Sequence, residues 1–242
     1  MRSLGRVTGS ATTESLARDF TAIPVVDLAA GRASAEARAA LADEMRAICH
    51  NVGFFTIVNH GVPPDFVAAY FAALQRFFAL PEHEKARIDK RLSRHFRGWE
   101  RVGAELTGNR PDYREQLDVS TENPPYPPDV EPVYLRLDGP NQWLPEAVLP
   151  GFRALVNEFF ARLGAVADEL MALLSLGLGL DADHLAGVFG EKPLRFAKLI
   201  SYPPTPPGEA GVNAHHDAGF LTILLQHEVG GLQAQNPRGE WI

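Results

Sequence analysis

Residues 214–225 read Ala214-His215-His216-Asp217-Ala218-Gly219-Phe220-Leu221-Thr222-Ile223-Leu224-Leu225. The apolar run that follows the polar residues predicts an extended strand, in which residues i and i+2 point to the same face. His215 and Asp217 then project together, roughly 6–7 Å apart along the strand. His216 points to the opposite face and so cannot share an ion with Asp217.

A histidine and an aspartate on one face can bind the same metal ion. An imidazole nitrogen and a carboxylate oxygen are two of the three donors of the facial triad that holds non-haem Fe(II), and the third donor is a second histidine. Small residues leave room for an ion, with Gly211 and Ala214 before the pair and Ala218 and Gly219 after it. A bare His-x-Asp tripeptide is common, however, and the alternative is a hydrogen-bonded surface pair.

The composition is that of a globular chain with room for a large core. The chain has 242 residues, of which 45% are hydrophobic and 22% charged, and its formal net charge of −7 argues against a general nucleic-acid-binding protein. No apolar run is long enough to span a membrane, and residues 1–13 lack the apolar segment of a signal peptide. The single cysteine, Cys49, excludes an intramolecular disulfide and favours the reducing cytoplasm.

Hydrophobic periodicity divides the chain into four regions. Residues 1–20 predict a flexible tail, and residues 21–145 a mixed N-terminal region. Residues 146–190 contain a long amphipathic supporting helix and a connector, and the pattern changes to strands over residues 191–242. This order predicts an α+β region packed on a β-rich core.

The same periodicity predicts the individual elements. Helices are predicted over residues 35–51, 66–79, 81–88, 149–174 and 182–189. Strands are predicted over residues 23–28, 54–58, 195–202, 213–218 and 221–226.

Two segments lack a clear period. The basic segment, residues 85–101, predicts a solvated face or, alternatively, arginines that bind an anionic substrate at the mouth of a pocket. Residues 103–145 are rich in Gly, Pro, Asn and Asp, and they predict a long binding or lid loop.

Several separated motifs occur in a fixed order along the chain. Those before the long helix are Ile23-Pro24-Val25-Val26-Asp27-Leu28, Gly53-Phe54-Phe55-Thr56-Ile57-Val58-Asn59-His60-Gly61-Val62, Arg97-Gly98-Trp99, Asp112-Tyr113-Arg114-Glu115 and Gly139-Pro140-Asn141-Gln142-Trp143. Those after it are Leu199-Ile200-Ser201-Tyr202-Pro203-Pro204 and the stretch from His215 to Leu225. On these motifs the chain resembles the isopenicillin N synthase-like branch of the Fe(II)/2-oxoglutarate-dependent dioxygenases, from about Ile23 to Ile242.

The resemblance implies a double-stranded β-helix, or jelly roll, preceded by a mixed helical region. It implies that His215 and Asp217 are Fe(II) ligands and that Tyr202 contacts the co-substrate 2-oxoglutarate, or else only packs in the barrel. Ile200 stands where many members have an asparagine that shares this contact. No catalytic residue is expected beyond the metal ligands. With O₂, such an enzyme hydroxylates, desaturates or cyclises a small molecule and releases succinate and CO₂.

The end of the chain departs from the family pattern. A jelly roll needs about eight strands, on the order of 70–80 residues, whereas strand character begins only near Leu194. The distal histidine ligand and the arginine that binds 2-oxoglutarate have no counterpart in the sequence. We therefore expect a jelly roll truncated at its C-terminus, in a fragment of a dioxygenase or a short inactive product, with weak iron binding.

Two other functions stay open. One is an Fe(II) oxidase of the isopenicillin N synthase kind that uses no 2-oxoglutarate, and the other is a catalytically silent scaffold or binding protein. In every case we expect no nucleic-acid or membrane partner, and a monomer if the protein is full-length.

Overall fold

The computed structural model describes residues 19–190 and 193–242. Within these ranges the α-helices are α1 (Ala35–Asn51), α2 (Pro64–Phe78), α3 (Glu82–Lys85), α4 (Phe152–Gly177) and α5 (His184–Phe189). The strands are β1 (Val25–Asp27), β2 (Thr56–Val58), β3 (Gly98–Glu100), β4 (Leu106–Thr107), β5 (Arg110–Pro111), β6 (Glu115–Ser120) and β7 (Phe196–Ser201). Short 3-10 helices lie at Ala30–Arg32, Ala86–Ile88, Lys90–Leu92 and Val133–Leu137. No helix in this part of the chain is long and apolar enough to cross a membrane.

The described residues divide into two compact units. The first comprises the described residues up to His60, together with Met171–His184 and Glu228–Ile242. The second comprises Gly61–Leu170 and the described residues of Leu185–His227. The candidate site residues predicted from the sequence all belong to the second unit.

In the first unit, β1 pairs in parallel with β2, with Val26 opposite Ile57. Helix α1 follows Ser34, whose Oγ accepts a hydrogen bond from the Ala37 amide at 3.1 Å and so satisfies one of the free N–H groups of the first turn. One face of α1 is buried through Leu41, Ala42 and Met45. This face supplies most of the hydrophobic contact that holds the helix in place.

The second unit is built on an antiparallel sheet in the order β3–β6–β7. Because side chains alternate along a strand, β6 places Leu117 and Val119 on one face and Gln116 and Asp118 on the other. The first face is apolar and packs against the helices. Its buried neighbours include Phe77, Trp99, Phe152, Val156 and Leu199.

The second face of this sheet is polar. Asp118 lies opposite Gly98 on β3 and Lys198 on β7, and Gln116 lies opposite Glu100 and Ile200. Gln116 and Asp118 are both almost fully buried. A buried polar surface requires internal hydrogen-bond partners for its groups.

Most of the predicted helices are confirmed, and so is the strand predicted over residues 195–202. The helix predicted over 35–51 matches α1, those over 66–79 and 149–174 match α2 and α4 within three residues, and 195–202 contains β7. Residues 81–88 form α3 followed by a 3-10 turn. Long amphipathic patterns with clear start and stop residues are the ones that local sequence determines best.

The strands predicted over residues 213–218 and 221–226 are wrong. The structure describes residues 202–242 completely, and the only ladder contact there is an isolated bridge between Gln235 and Trp241. A strand exists only where a neighbouring segment accepts its hydrogen bonds, and no described segment forms a hydrogen-bonded ladder with these residues. The part of the chain described by the structure therefore contains a three-stranded sheet, and the truncated jelly roll stays a prediction.

The long loop predicted over residues 103–145 is also wrong in part, because it contains β6, the central strand of the sheet. The period of two in Glu115–Ser120 was obscured by buried polar residues on the second face. The solvated basic face predicted over 85–101 needs a similar correction. Lys85, Lys90 and Arg97 are buried, because acidic side chains or backbone carbonyls bind them.

The predicted tail lies outside the described residues for positions 1–18. Its last two residues are held in place within the first unit. Asn236 donates its side-chain amide to the Phe20 carbonyl at 3.1 Å, and Arg238 lies 3.4 Å from the Asp19 carboxylate.

Candidate functional site

His215 and Asp217 lie together, although their segment is not a strand. His215 Nε2 is 3.2 Å from Asp217 Oδ1, and both side chains are about half exposed, at 43% and 52%. On the other side of the ring, Nδ1 lies 2.8 Å from the Asn213 carbonyl. A carbonyl can only accept, so Nδ1 carries a proton, and Nε2 is the ring nitrogen that is available to a metal ion. Two electron-rich atoms that face each other in this way are suited to share a cation.

The loop that carries this pair is fastened to a buried carboxylate. Asp112 Oδ1 accepts hydrogen bonds from the backbone amide of Asn213 at 3.4 Å and from its side-chain amide at 3.3 Å. Asp112 is fully buried, and its second oxygen accepts from Thr107 at 2.7 Å and pairs with Arg114 at 3.0 Å. Asp112 therefore positions the Asn213 carbonyl, which in turn sets the orientation of the His215 ring.

Tyr202 follows β7 directly and is half exposed. Its ring lies against the backbone of Gly211, where an added β-carbon would come within 2.7 Å of the ring carbon Cδ1. Gly211 thus permits a close approach that a larger residue would block. This contact brings Tyr202 to the loop that carries His215, while its predicted contact with 2-oxoglutarate stays a prediction.

The described residues supply two donors at this position. Among them, the only group of three His, Cys, Asp or Glu side chains close enough to share an ion is a different one: Glu100, Glu105 and Asp118. The donor types of His215 and Asp217 fit the facial triad of non-haem Fe(II), of which they provide one histidine and the carboxylate. His216 is exposed.

The second acidic group forms a carboxylate cluster, which we define as Glu100, Glu105 and Asp118. Two lysines bind it. Lys90 Nζ lies 2.9 Å from Glu100 Oε2 and 2.6 Å from Asp118 Oδ2, and Lys198 Nζ lies 2.6 Å from Glu105 Oε1. The oxygens that could bind a metal ion are thus occupied by ammonium groups.

Burial and ion pairing shift the pKa values of this cluster in opposite directions. Burial raises the pKa of Asp118 above its ordinary value. Burial alone would also raise the pKa of Glu105, but the hydrogen bond and charge of Lys198, the charge of Lys90 and a hydrogen bond with Glu100 together hold that pKa below its ordinary value. For Lys90, burial alone would lower the pKa, whereas its bonds to Asp118 and Glu100 raise it.

Sequence reasoning missed the carboxylate cluster. The available indication was the alternation of Gln116 and Asp118 with Leu117 and Val119, which is typical of a strand with one apolar and one polar face. What the sequence could not indicate is that Lys90 and Lys198, distant along the chain, meet this strand.

An ion pair connects the cluster with the candidate metal ligands. Arg114 lies 3.0 Å from Asp112, which fastens the His215 loop, and 3.9 Å from Glu105 Oε1. The cluster and the His215–Asp217 pair therefore belong to one continuous polar region of the second unit.

Comparison with known protein families finds two matches. The family described as "non-haem dioxygenase in morphine synthesis N-terminal" matches residues 23–146. The 2OG-Fe(II) oxygenase superfamily matches residues 191–242. The second match contains Tyr202, His215 and Asp217.

Individual relatives agree with these matches. A 2-oxoglutarate-dependent dioxygenase of Dothideomycetidae sp. (strain 11243) is 37% identical over 229 residues, which cover 92% of this chain and 61% of that protein. A homoarginine-6-hydroxylase of Glycine max is 30% identical over 245 residues, which cover 94% of this chain and 72% of that protein. The chain spans 61% of the length of the first fungal relatives that it matches.

Solved structures give the same result. A full-length Neurospora crassa protein in complex with alpha-KG matches with a TM-score of 0.76 at 26% identity, over 91% of this chain and 68% of that one. The same protein has a structure with alpha-KG and thymine, which matches with a TM-score of 0.74 at 25% identity.

Proposed function

Because the chain belongs to the 2OG-Fe(II) oxygenase superfamily, we propose that the protein is an Fe(II)- and 2-oxoglutarate-dependent dioxygenase that oxidises a small organic molecule. The observation that carries this proposal is the pairing of His215 Nε2 with Asp217 Oδ1 at 3.2 Å, with the ring held from behind by the Asn213 carbonyl. When bound, the iron and 2-oxoglutarate supply the oxidising chemistry, with succinate and CO₂ as products.

The residues of this chain bind and orient. His215 and Asp217 are the proposed metal ligands, and the Asp112–Asn213 hydrogen bonds keep the histidine in the tautomer that presents Nε2. Tyr202, held against Gly211, is proposed to contact 2-oxoglutarate. We also propose that the β3–β6–β7 sheet is one wall of a jelly roll, with its polar face toward the reaction site.

Relatives differ in the molecules for which they are named or with which they were solved. One is a homoarginine-6-hydroxylase, and another was solved with thymine. Membership of the superfamily therefore does not specify the substrate of this chain beyond a small molecule. The single cysteine, Cys49, supports a proposed location in the reducing cytoplasm, and a monomer is the proposed state.

The test is succinate formation from 2-oxoglutarate by the purified full chain, with Fe(II) added or removed by a chelator. We expect His215→Ala to lower the rate by about a hundredfold or more, since it removes a metal ligand. His216→Ala is the matched control and should retain the rate, because His216 is exposed and not part of the proposed site.

Three outcomes separate the possible functions. Succinate formation that requires Fe(II) and His215 supports the proposal. Oxygen consumption that requires Fe(II) but not 2-oxoglutarate would replace it with an oxidase. No metal-dependent turnover in any condition would indicate a scaffold or binding protein.

A further inference from the structure

The carboxylate cluster carries one negative charge more than its own lysines neutralise. Its three carboxylates face the ammonium groups of Lys90 and Lys198. The nearby arginines do not change this balance. Arg114 is paired with the fully buried Asp112 at 3.0 Å. Burial lowers the pKa of the Arg97 guanidinium, and the negative charges of Asp138 and then Asp118 act against this effect. The cluster can therefore accept one additional positive charge.

A buried amide inside the cluster has an unused acceptor. Gln116 is 1% exposed, and its Nε2 donates to Glu100 at 2.9 Å, to Asp118 at 3.1 Å and also to Glu105. These three carboxylates fix the orientation of the amide, since a reversed amide would place its oxygen against them. The other amide atom, Gln116 Oε1, is buried and has no hydrogen-bond partner among the described residues, and the same holds for Arg97 Nε and Nη2 and for Arg114 Nε. Gln116 Oε1 requires a donor, because a buried acceptor without one is costly.

The cluster is closed at one end and open at the other. Asp118 and Lys90 have side-chain exposures of 0% and 6%, whereas Glu100, Glu105 and Lys198 have 21%, 27% and 29%. A ligand can reach the cluster from the side of Glu105 and Lys198. Lys198 can move away from Glu105 to admit it, because a lysine ammonium sits on a flexible stem.

Buried ion pairs connect the cluster with the loop that carries the candidate metal ligands. Arg114 lies 3.9 Å from Glu105 and 3.0 Å from Asp112, and Asp112 accepts a hydrogen bond from the Asn213 amide in the loop of His215.

We propose that the carboxylate cluster and Gln116 bind an ammonium or guanidinium group of the substrate. Such a group carries a positive charge that balances the excess carboxylate. It also has N–H groups that can donate to Gln116 Oε1. This inference rests on the proposed function for the claim that the bound molecule is a substrate, and on the geometry of the cluster for the claim that a cation binds.

The test is calorimetric titration of the full chain with agmatine and with Nα-acetyl-L-arginine amide, whose only cationic group is the guanidinium. Nα-acetyl-L-citrulline amide is the uncharged comparison, because it has nearly the same shape and no ammonium group. We expect the cations to bind and the citrulline derivative to bind at least about tenfold more weakly, as a charged hydrogen bond is lost. Equal binding of the arginine and citrulline derivatives would overturn the proposal.

Two substitutions on the cluster should act in opposite directions. Glu105→Gln keeps the shape and removes one charge, so cation affinity should fall about tenfold or more. Lys198→Met removes the competing ammonium, so affinity should rise. The control is Glu158→Gln on α4, where the exposed glutamate pairs only with Arg162 in the described contacts and affinity should not change. Tighter binding of succinate or acetate than of agmatine, lost in Lys198→Met, would assign the cluster to an anion instead.

The wild-type chain distinguishes failure of this inference from failure of the proposed function. Succinate formation without selective cation binding would leave the proposed function standing and remove the inference. Selective cation binding that follows the two substitutions, without any succinate formation, would remove the proposed function and keep the cation site.

Discussion

Lys90 shows what a single buried charge does in this protein. Its side chain is 6% exposed, and it joins Glu100 on β3 to Asp118 on β6 from a 3-10 turn that precedes both strands. Burying this ammonium is costly in itself, and the two carboxylates offset the cost only while all three groups are present. The contribution of Lys90 to the stability of the fold therefore depends on Glu100 and Asp118.

Lys90→Met should destabilise the protein strongly. It leaves Glu100 and Asp118 with an uncompensated buried charge, and we expect the free energy of unfolding to fall by about 3–5 kcal/mol. Chemical denaturation measures the change. Arg91→Met is the matched control, since the Arg91 side chain is 89% exposed and, among the described residues, pairs only with Asp89. An equal loss in both variants would show that the buried pairing is not the cause.

Strand β6 is the element on which the separated sequence motifs converge. Asn141 accepts from the Ser120 amide at 2.8 Å and donates to the Ser120 carbonyl at 2.7 Å, so it extends β6 at its end. At the start of β6, Glu115 accepts from the Trp99 indole at 2.9 Å and from Lys85 at 2.6 Å. Motifs that are far apart in the sequence are therefore contacts around one strand.

The backbone of β3 passes close to the Ile88 carbonyl, and Gly98 allows this close approach. Its φ is +130°, and an added β-carbon would lie 2.4 Å from the Ile88 carbonyl oxygen. We expect Gly98→Ala to lower the free energy of unfolding by about 2 kcal/mol or more, from backbone strain and the clash together. In Gly187→Ala, the control within α5, no atom lies within 4 Å of the new carbon, and stability should be kept or raised. Thermal unfolding compares the two, and a stable Gly98→Ala chain would contradict the expectation.

Helices and strands could be predicted from the sequence where the residues within them determine the secondary structure. Helix α1 has a serine cap and a regular apolar stripe, and its predicted bounds agree with the structure. β6 was missed because Gln116 and Asp118 are buried polar residues whose partners are remote. Residues 213–226 have the composition of strands, but they pair with no strand in the part of the chain that the structure describes.

The stability of the whole molecule should depend on pH through Glu105. Burial alone would raise the folded pKa of this carboxyl, but the hydrogen bond and charge of Lys198, with the charge of Lys90 and a hydrogen bond with Glu100, hold it below its ordinary value of 4.5. A lowered folded pKa contributes stability that is present above pH 4.5 and is lost as the pH falls through the folded pKa. Protonation of Glu105 in acid thus weakens the folded state.

Glu105→Gln should remove this dependence. We expect the free energy of unfolding of the wild type to exceed that of the variant near neutral pH, and the difference to shrink as the pH falls below 4.5. Denaturant titrations of both chains over this pH range provide the measurement. A difference that stays constant into acid would mean that Lys198 does not lower the pKa of Glu105.

The sequence by itself determined the family, the principal helices and the two candidate ligands, because each depends on residues close together in the chain. His215 and Asp217 converge even without a strand, since a spacing of two and the Asn213 carbonyl suffice to bring Nε2 to Oδ1. Only the tertiary structure decided the carboxylate cluster and the anchoring of the His215 loop on Asp112. Both join groups about a hundred positions apart, such as Lys198 with Glu105 and Asn213 with Asp112, and no local pattern encodes which remote charge a buried carboxylate will meet.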